Sequence, residues 1–109
     1  MTVADELRAA IARDCPHRLD DYDDHRAAAL ARGWGQTYAT RIHWWTEHHI
    51  SADPNLEERY YGLYEQAAGS DTRDEALRCI EEASRIWGDV QQQVIKEMDV
   101  GVRPPKEHP

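Results

Sequence analysis

With 109 residues, 40% of them apolar and 31% charged, the chain is sized for one domain with a modest core, and its composition excludes wholesale disorder. Asp and Glu outnumber Lys and Arg by 21 to 13, for a net charge of −8. Nucleic acids and anionic membrane surfaces call for a basic footprint, and the scattered Arg8, Arg13, Arg18 and Arg26 are diluted by acids.

Taken in chain order, Thr2 and Asp5 form a capping-box-like pair. Leu7, Ala10 and Ile11 then predict a short first helix, ended by Cys15-Pro16. A second helix is expected from about Leu19 to Ala31, with Leu19, Tyr22, Ala27, Leu30 and Ala31 available for burial. Asp20, Asp21, Asp23 and Asp24 lie in its first turns, where the helix dipole favours negative charge, and Gly33-Trp34-Gly35 stops it. The third helix, from about Gln36 to Ile50, places Tyr38, Ile42, Trp45 and His49 on one face, at the spacing of a core stripe.

Asp53 reads as an N-cap with Pro54 at the first helical position. The fourth helix runs to about Ala68, with Leu56, Tyr60, Leu63 and Ala67 inside, and Gly69 fits the position just past its end. Asp71 or Ser70 caps a fifth and longest helix whose stripe is Ala76, Ile80, Ala83, Trp87, Val90 and Val94. That helix is expected to reach about Met98, with Gly88 its one internal weak point. No segment alternates with period two. The sequence predicts an all-α compact bundle of about five helices over residues 1–100, followed by a flexible Pro-rich tail over 101–109.

No stretch approaches about 18 consecutive apolar residues, and residues 1–13 lack the apolar core of a secretory signal. A cytoplasmic protein with two reduced cysteines, Cys15 and Cys79, is the expectation. Abundant Ala, Arg and Asp with no Phe suggest a GC-rich genome.

Among chemistry-bearing clusters, His43, Glu47, His48 and His49 invite a metal, yet only His43 and Glu47 share a helical face. A zinc site needs three or four ligands, which His17, Asp21 or His25 on the second helix would have to complete. His25, His43 and Glu47 are the candidate ligands; the alternative is a solvated surface, with no metal or cofactor. The acids at 20–24 lack the Gly and terminal Glu of a calcium loop. There is no Gly-rich phosphate loop and no nucleophile elbow. Arg41, Trp44 and His48 line one side of the third helix, and Tyr61 and Tyr64 form a second stripe on the fourth. Trp, Tyr and Arg are the types enriched at binding hot spots, so these five are the candidate partner-binding residues; the alternative is that the aromatics only thicken the core.

Four co-linear fragments, Asp24-His25-Arg26-Ala27-Ala28-Ala29-Leu30, Trp44-Trp45, Tyr60-Tyr61-Gly62-Leu63-Tyr64 and Asp71-Thr72-Arg73-Asp74-Glu75, resemble the helical half of the nitrile hydratase β subunit and its accessory proteins. The family pattern runs acid-x-Arg-x-x-Ala-Leu, then Tyr-Tyr-x-x-Trp-Leu, then a capped helix. Here Tyr64 stands in place of the Trp, and the glycine-rich arm and β-barrel half are missing. The resemblance implies a non-catalytic helical subunit of a hydro-lyase whose metal-binding cysteines belong to the other subunit. In the family, β-subunit arginines reach that metal; Arg41 is the one candidate in the matching helix, with no second arginine within a turn. Tyr22 to Leu30, Trp44-Trp45 and Asp53-Pro54 also resemble small helical actinobacterial proteins, some antitoxin-like.

The leading expectation is therefore a protein-binding subunit, without an active site of its own, of a nitrile-hydratase-like multi-subunit enzyme. The alternative is an acidic antitoxin or immunity-type protein that masks a basic partner, its charge speeding the encounter. A third possibility is a metalloenzyme built on His25, His43 and Glu47.

Overall fold

The computed structural model describes residues 3–33 and 38–102, and among these every regular element is helical. In chain order they are α1 (Val3–Asp14), a 3-10 turn (Pro16–Arg18), α2 (Leu19–Ala31), α3 (Tyr38–Ser51), α4 (Pro54–Ala68) and α5 (Arg73–Val102). The five-helix bundle is the one the sequence predicts. Thr2, Trp34 to Gln36 and the tail from 103 onward lie outside the described residues. No helix among the described residues is long and apolar enough to cross a membrane.

The breaks between helices follow local chemistry. The residue before a proline is pushed out of the helical region, so α1 ends at Cys15-Pro16, and the chain turns once before α2. Gly33 closes α2 in the left-handed region, at φ +78°, with its N–H donating to Leu30 O. Asp53 caps α4 as expected, its carboxylate accepting from the N–H groups of Asn55 and Leu56. The cap of α5 is Thr72 instead of the expected Ser70 or Asp71. Its Oγ1 accepts from Glu75 N at 3.2 Å, the spacing of a capping box, whereas the Ser70 hydroxyl turns back to Gln66 O. Residues of α5 continue four positions past the expected end at Met98.

The central helix is α3, which packs on α1, α4 and α5. It feeds two core clusters. Trp44 joins Leu7, Ile11, Cys15 and Tyr22, while Ile50 joins Tyr60, Leu63 and Ala83 from the α4/α5 hairpin. This corrects the expected α3 stripe. Trp44, Thr46, Glu47, Ile50 and Ser51 are buried, whereas Tyr38 is exposed and Ile42, Trp45 and His49 are half-buried. A helix with neighbours on several sides buries most of its circumference, so no single stripe describes it.

On α2 the inner residues are Tyr22 and Ala29, and Leu30, expected inside, is 56% exposed. The inner faces of α4 and α5 are close to expectation: Tyr60, Leu63, Ala83 and Val94 are buried, and Ile80 is the exception at 39% exposed. Ion pairs tie the layers together. Arg8 grips Asp23 with two hydrogen bonds between α1 and α2, and Arg59 pairs with Glu82 between α4 and α5. Histidines make three further ties: His17 to Glu57, His48 to Asp14 and His49 to Glu97. Part of the acidic run at α2 is thus spent on partners as well as on the helix dipole. Both cysteines are free thiols, Cys15 buried and Cys79 half-buried.

Candidate functional site

Glu47 sits on the inner side of α3 and is only 9% exposed. A carboxylate taken out of water needs a charged or hydrogen-bonded partner. Arg18 supplies both from the end of the 3-10 turn, which the Pro16 break positions against α3. Its Nη1 donates to Glu47 Oε2 at 2.7 Å, to the Tyr61 hydroxyl at 2.7 Å and to Ser51 Oγ at 2.9 Å. Its Nε donates to Asp21 Oδ2 at 3.1 Å. The Tyr61 hydroxyl in turn donates to Glu47 Oε2 at 2.8 Å.

The Arg18 guanidinium also lies 5.6 Å from the Trp44 ring centre and 5.5 Å from that of Tyr61, within cation–π range of both. Burial works against the Arg18 charge, but the carboxylate of Glu47 outweighs it, and the guanidinium pKa ends above its ordinary value. Burial pushes the Tyr61 phenol up, and its hydrogen bond to Glu47 adds to the shift.

Only one carboxylate oxygen is consumed by this node. Glu47 Oε1 lies 3.8 Å from His43 Nε2, and both residues line a shallow cleft of about 420 Å³ between α3, α4 and α5. The cleft is lined by His43, Glu47, Tyr60, Tyr64, Ser84 and Trp87. Tyr60 and Tyr64 meet edge to face with ring centres 5.4 Å apart, Tyr60 and Trp87 lie 6.1 Å apart, and His43 packs on Trp87 at 5.2 Å. Burial holds His43 below its ordinary pKa, with His25 and Arg18 adding to the effect against Glu47, so the imidazole is mainly neutral at pH 7. Burial, then the Tyr64 hydroxyl, pushes the Tyr60 phenol up. Three aromatic rings, an imidazole, a hydroxyl and a carboxylate thus line one cleft.

The five expected partner-binding residues do not form one exposed patch. Trp44 is 4% exposed, packed edge to face on Tyr22 with its indole N–H donating to His25 Nδ1. It belongs to the core, because α1, α2 and α3 close over it. Tyr61 turns its hydroxyl inward to the node. His48 is half-buried, paired with Asp14 and packed edge to face on Trp45. Arg41 is half-buried against Tyr38, its Nε having no hydrogen-bond partner among the described residues. Tyr64 alone of the five is exposed, at 41%.

The expected metal ligands do approach one another: the His25 and His43 rings lie 5.7 Å apart, and His43 neighbours Glu47. One donor atom each of His25 and Glu47 is engaged elsewhere, however. His25 Nδ1 accepts from Trp44, Glu47 Oε2 from Arg18 and Tyr61, and Asp21 and His17 pair with Arg18 and Glu57. Among the described residues, no group of three or more His, Cys, Asp and Glu is placed to hold a metal ion.

Sequence reasoning missed Arg18, Ser51 and Ser84, and took Tyr60 and Trp87 for core alone. The one available signal was Glu47 itself, an acid a turn below His43 on a helix flanked by aromatics. No family model matches the chain, and no curated protein or solved structure matches it either.

Proposed function

We propose that this chain is a small helical protein-binding component without an active site of its own, and that its partner docks along one side of the α4/α5 hairpin. The observation that carries this is a pair of partly exposed aliphatic side chains beside an aromatic-lined cleft. Leu77 and Ile80 lie one turn apart on α5, exposed by 41% and 39%. Ser84 follows Ile80 at the next turn and shares the aromatic cleft with exposed Tyr64. The strip thus joins aliphatic contacts to a ring-lined recess, the anatomy of a protein interface with an anchoring pocket.

Two kinds of partner are supported by different features. The co-linear fragments fall on α2, α3, α4 and the start of α5, and support a larger metal-bearing subunit of a nitrile-hydratase-like enzyme. The net charge of −8 supports a basic protein that this chain masks, in the manner of an antitoxin or immunity protein. Co-expression with proteins encoded beside it, followed by size-exclusion chromatography, tests the shared claim. A complex should form, and Leu77→Glu or Ile80→Glu should abolish it while leaving the helical circular dichroism unchanged. A complex that survives both substitutions rejects this docking face. Dissociation at raised salt selects the basic partner, and co-eluting metal in a salt-resistant complex selects the enzyme subunit.

A further inference from the structure

Glu47 has two sides, and the molecule has already built a cation site on one of them. There the Arg18 guanidinium lies over two aromatic rings, Trp44 and Tyr61, and donates to one carboxylate oxygen, Oε2. On the other side, Oε1 lies 3.8 Å from His43 Nε2, and both residues line a cleft together with Trp87, Tyr60 and Tyr64. Among the described residues, no Lys or Arg lines that cleft.

Resting on the docking role proposed above, we propose that the cleft receives an arginine side chain of the protein partner, laid against Tyr60, Tyr64 and Trp87 with an N–H directed to Glu47 Oε1. The choice of arginine follows from the local charge balance. Arg18 already offsets much of the Glu47 charge, so the rings supply most of the attraction. Ring faces favour a weakly hydrated, planar guanidinium over the compact, strongly hydrated ammonium of lysine. His43 is mainly neutral at pH 7 and does not repel the incoming charge. The acidic chain as a whole draws a basic partner toward the cleft, and Leu77 and Ile80 along the same strip receive apolar neighbours of that arginine.

Nuclear magnetic resonance titration of the intact protein with N-acetyl-arginine amide tests the site. Saturable shifts are expected at the Trp87 indole N–H and at the Tyr64 and His43 ring signals. N-acetyl-citrulline amide, similar in shape but uncharged, should bind about tenfold more weakly, and the lysine analogue should fall between them. Tyr64 is exposed, so Tyr64→Ala should fold and weaken binding about threefold to tenfold, with Tyr64→Phe restoring it. Equal binding of the citrulline analogue overturns the proposal, as does the absence of saturable shifts at these rings. Tetramethylammonium binding more than tenfold tighter than the arginine amide overturns it in favour of a small-molecule cation site. The docking face stands or falls separately: a complex still sensitive to Ile80→Glu, in a protein that ignores arginine amide, rejects the arginine assignment alone.

Discussion

Replacing Arg18 by Met is the sharpest test of the buried node, because it keeps most of the apolar stem while deleting the charge. It strands Glu47 Oε2 with the Tyr61 hydroxyl as its remaining donor, on a side chain that is only 12% exposed. Removing one partner of a buried ion pair costs about 3–5 kcal/mol. The residual exposure of both side chains, 16% and 12%, places this pair near the lower end, about 3 kcal/mol. Against a total stability of about 5–15 kcal/mol for a domain, that loss corresponds to a Tm lower by about 12–20 °C. The double variant Arg18→Met/Glu47→Leu removes the stranded carboxylate as well. Since an apolar pair can replace a buried ion pair at little net cost, it should return to within about 1–2 kcal/mol of the parent, the half-buried Tyr61 hydroxyl turning to water. Equilibrium urea unfolding, followed by circular dichroism and tryptophan fluorescence, measures all four corners of the cycle. If Arg18→Met costs less than about 1 kcal/mol, or the two single effects simply add, the node behaves as a solvated surface pair, and α3 does not hold Glu47 as a desolvated carboxylate.

Acid should unfold the protein in two stages. Burial holds the His43 pKa below 6.5, so the unfolded chain binds the proton first and the stability that the neutral imidazole contributes is lost as pH falls below that value. A Tm that declines between pH 6.5 and 5, and a shallower decline in His43→Gln, are the expected results; equal slopes would remove His43 from this role. The carboxyls of Asp14, Asp23, Glu57 and Glu97 are also held below their ordinary values, through hydrogen bonds from Arg13, from Arg8, from His17 against burial, and from Gln93, respectively. Depressed acids stabilise above their unfolded values, 3.8 for Asp and 4.5 for Glu, and that contribution disappears as pH drops further, so a steeper fall in Tm is expected below about pH 4.5. Thr72→Ala and Asp53→Ala should each cost about 1 kcal/mol in urea unfolding, while Ser70→Ala and Asp71→Ala stay within about 0.5 kcal/mol; a reversed order would place the α5 cap elsewhere. Cys79 should react with a chromogenic disulfide reagent in the folded protein and Cys15 only on unfolding, since Cys15 is 1% exposed and burial pushes its thiol up.

The fold was legible because it is written in local signals. Pro16, Gly33 and Asp53-Pro54 each act within one turn of chain, and the apolar spacing of α4 and α5 marks their inner faces; the α5 cap was placed a residue or two early because Ser70 and Asp71 offer the same side-chain chemistry as Thr72. The register of α3 was not legible, since spacing locates a core only when the core lies on one side. With α1 on one flank and the α4/α5 hairpin on another, burial reached Thr46, Glu47 and Ser51, which any hydrophobicity criterion assigns to solvent. The same limit hid the site. Trp44 and Tyr61 look like docking residues in sequence because Trp and Tyr serve interfaces and cores alike; the packing of α1 and α2 over Trp44 and the position of Arg18, 29 residues before Glu47, against Tyr61 decide between them.

That position also bears on why a buried charge is present at all. A Leu at 47 and a Met at 18 would fill the same space at little cost in stability, so folding alone gives no reason for the ion pair. The pair does, however, fix Glu47 where it lines the aromatic cleft, at a place a flexible surface acid would not hold. If the node exists to present Glu47 Oε1, Arg18→Met/Glu47→Leu should unfold much like the parent and yet bind arginine amide measurably more weakly. Undiminished binding by that stable double variant would assign the attraction to Tyr60, Tyr64 and Trp87 alone, and leave the ion pair a structural feature with no part in recognition.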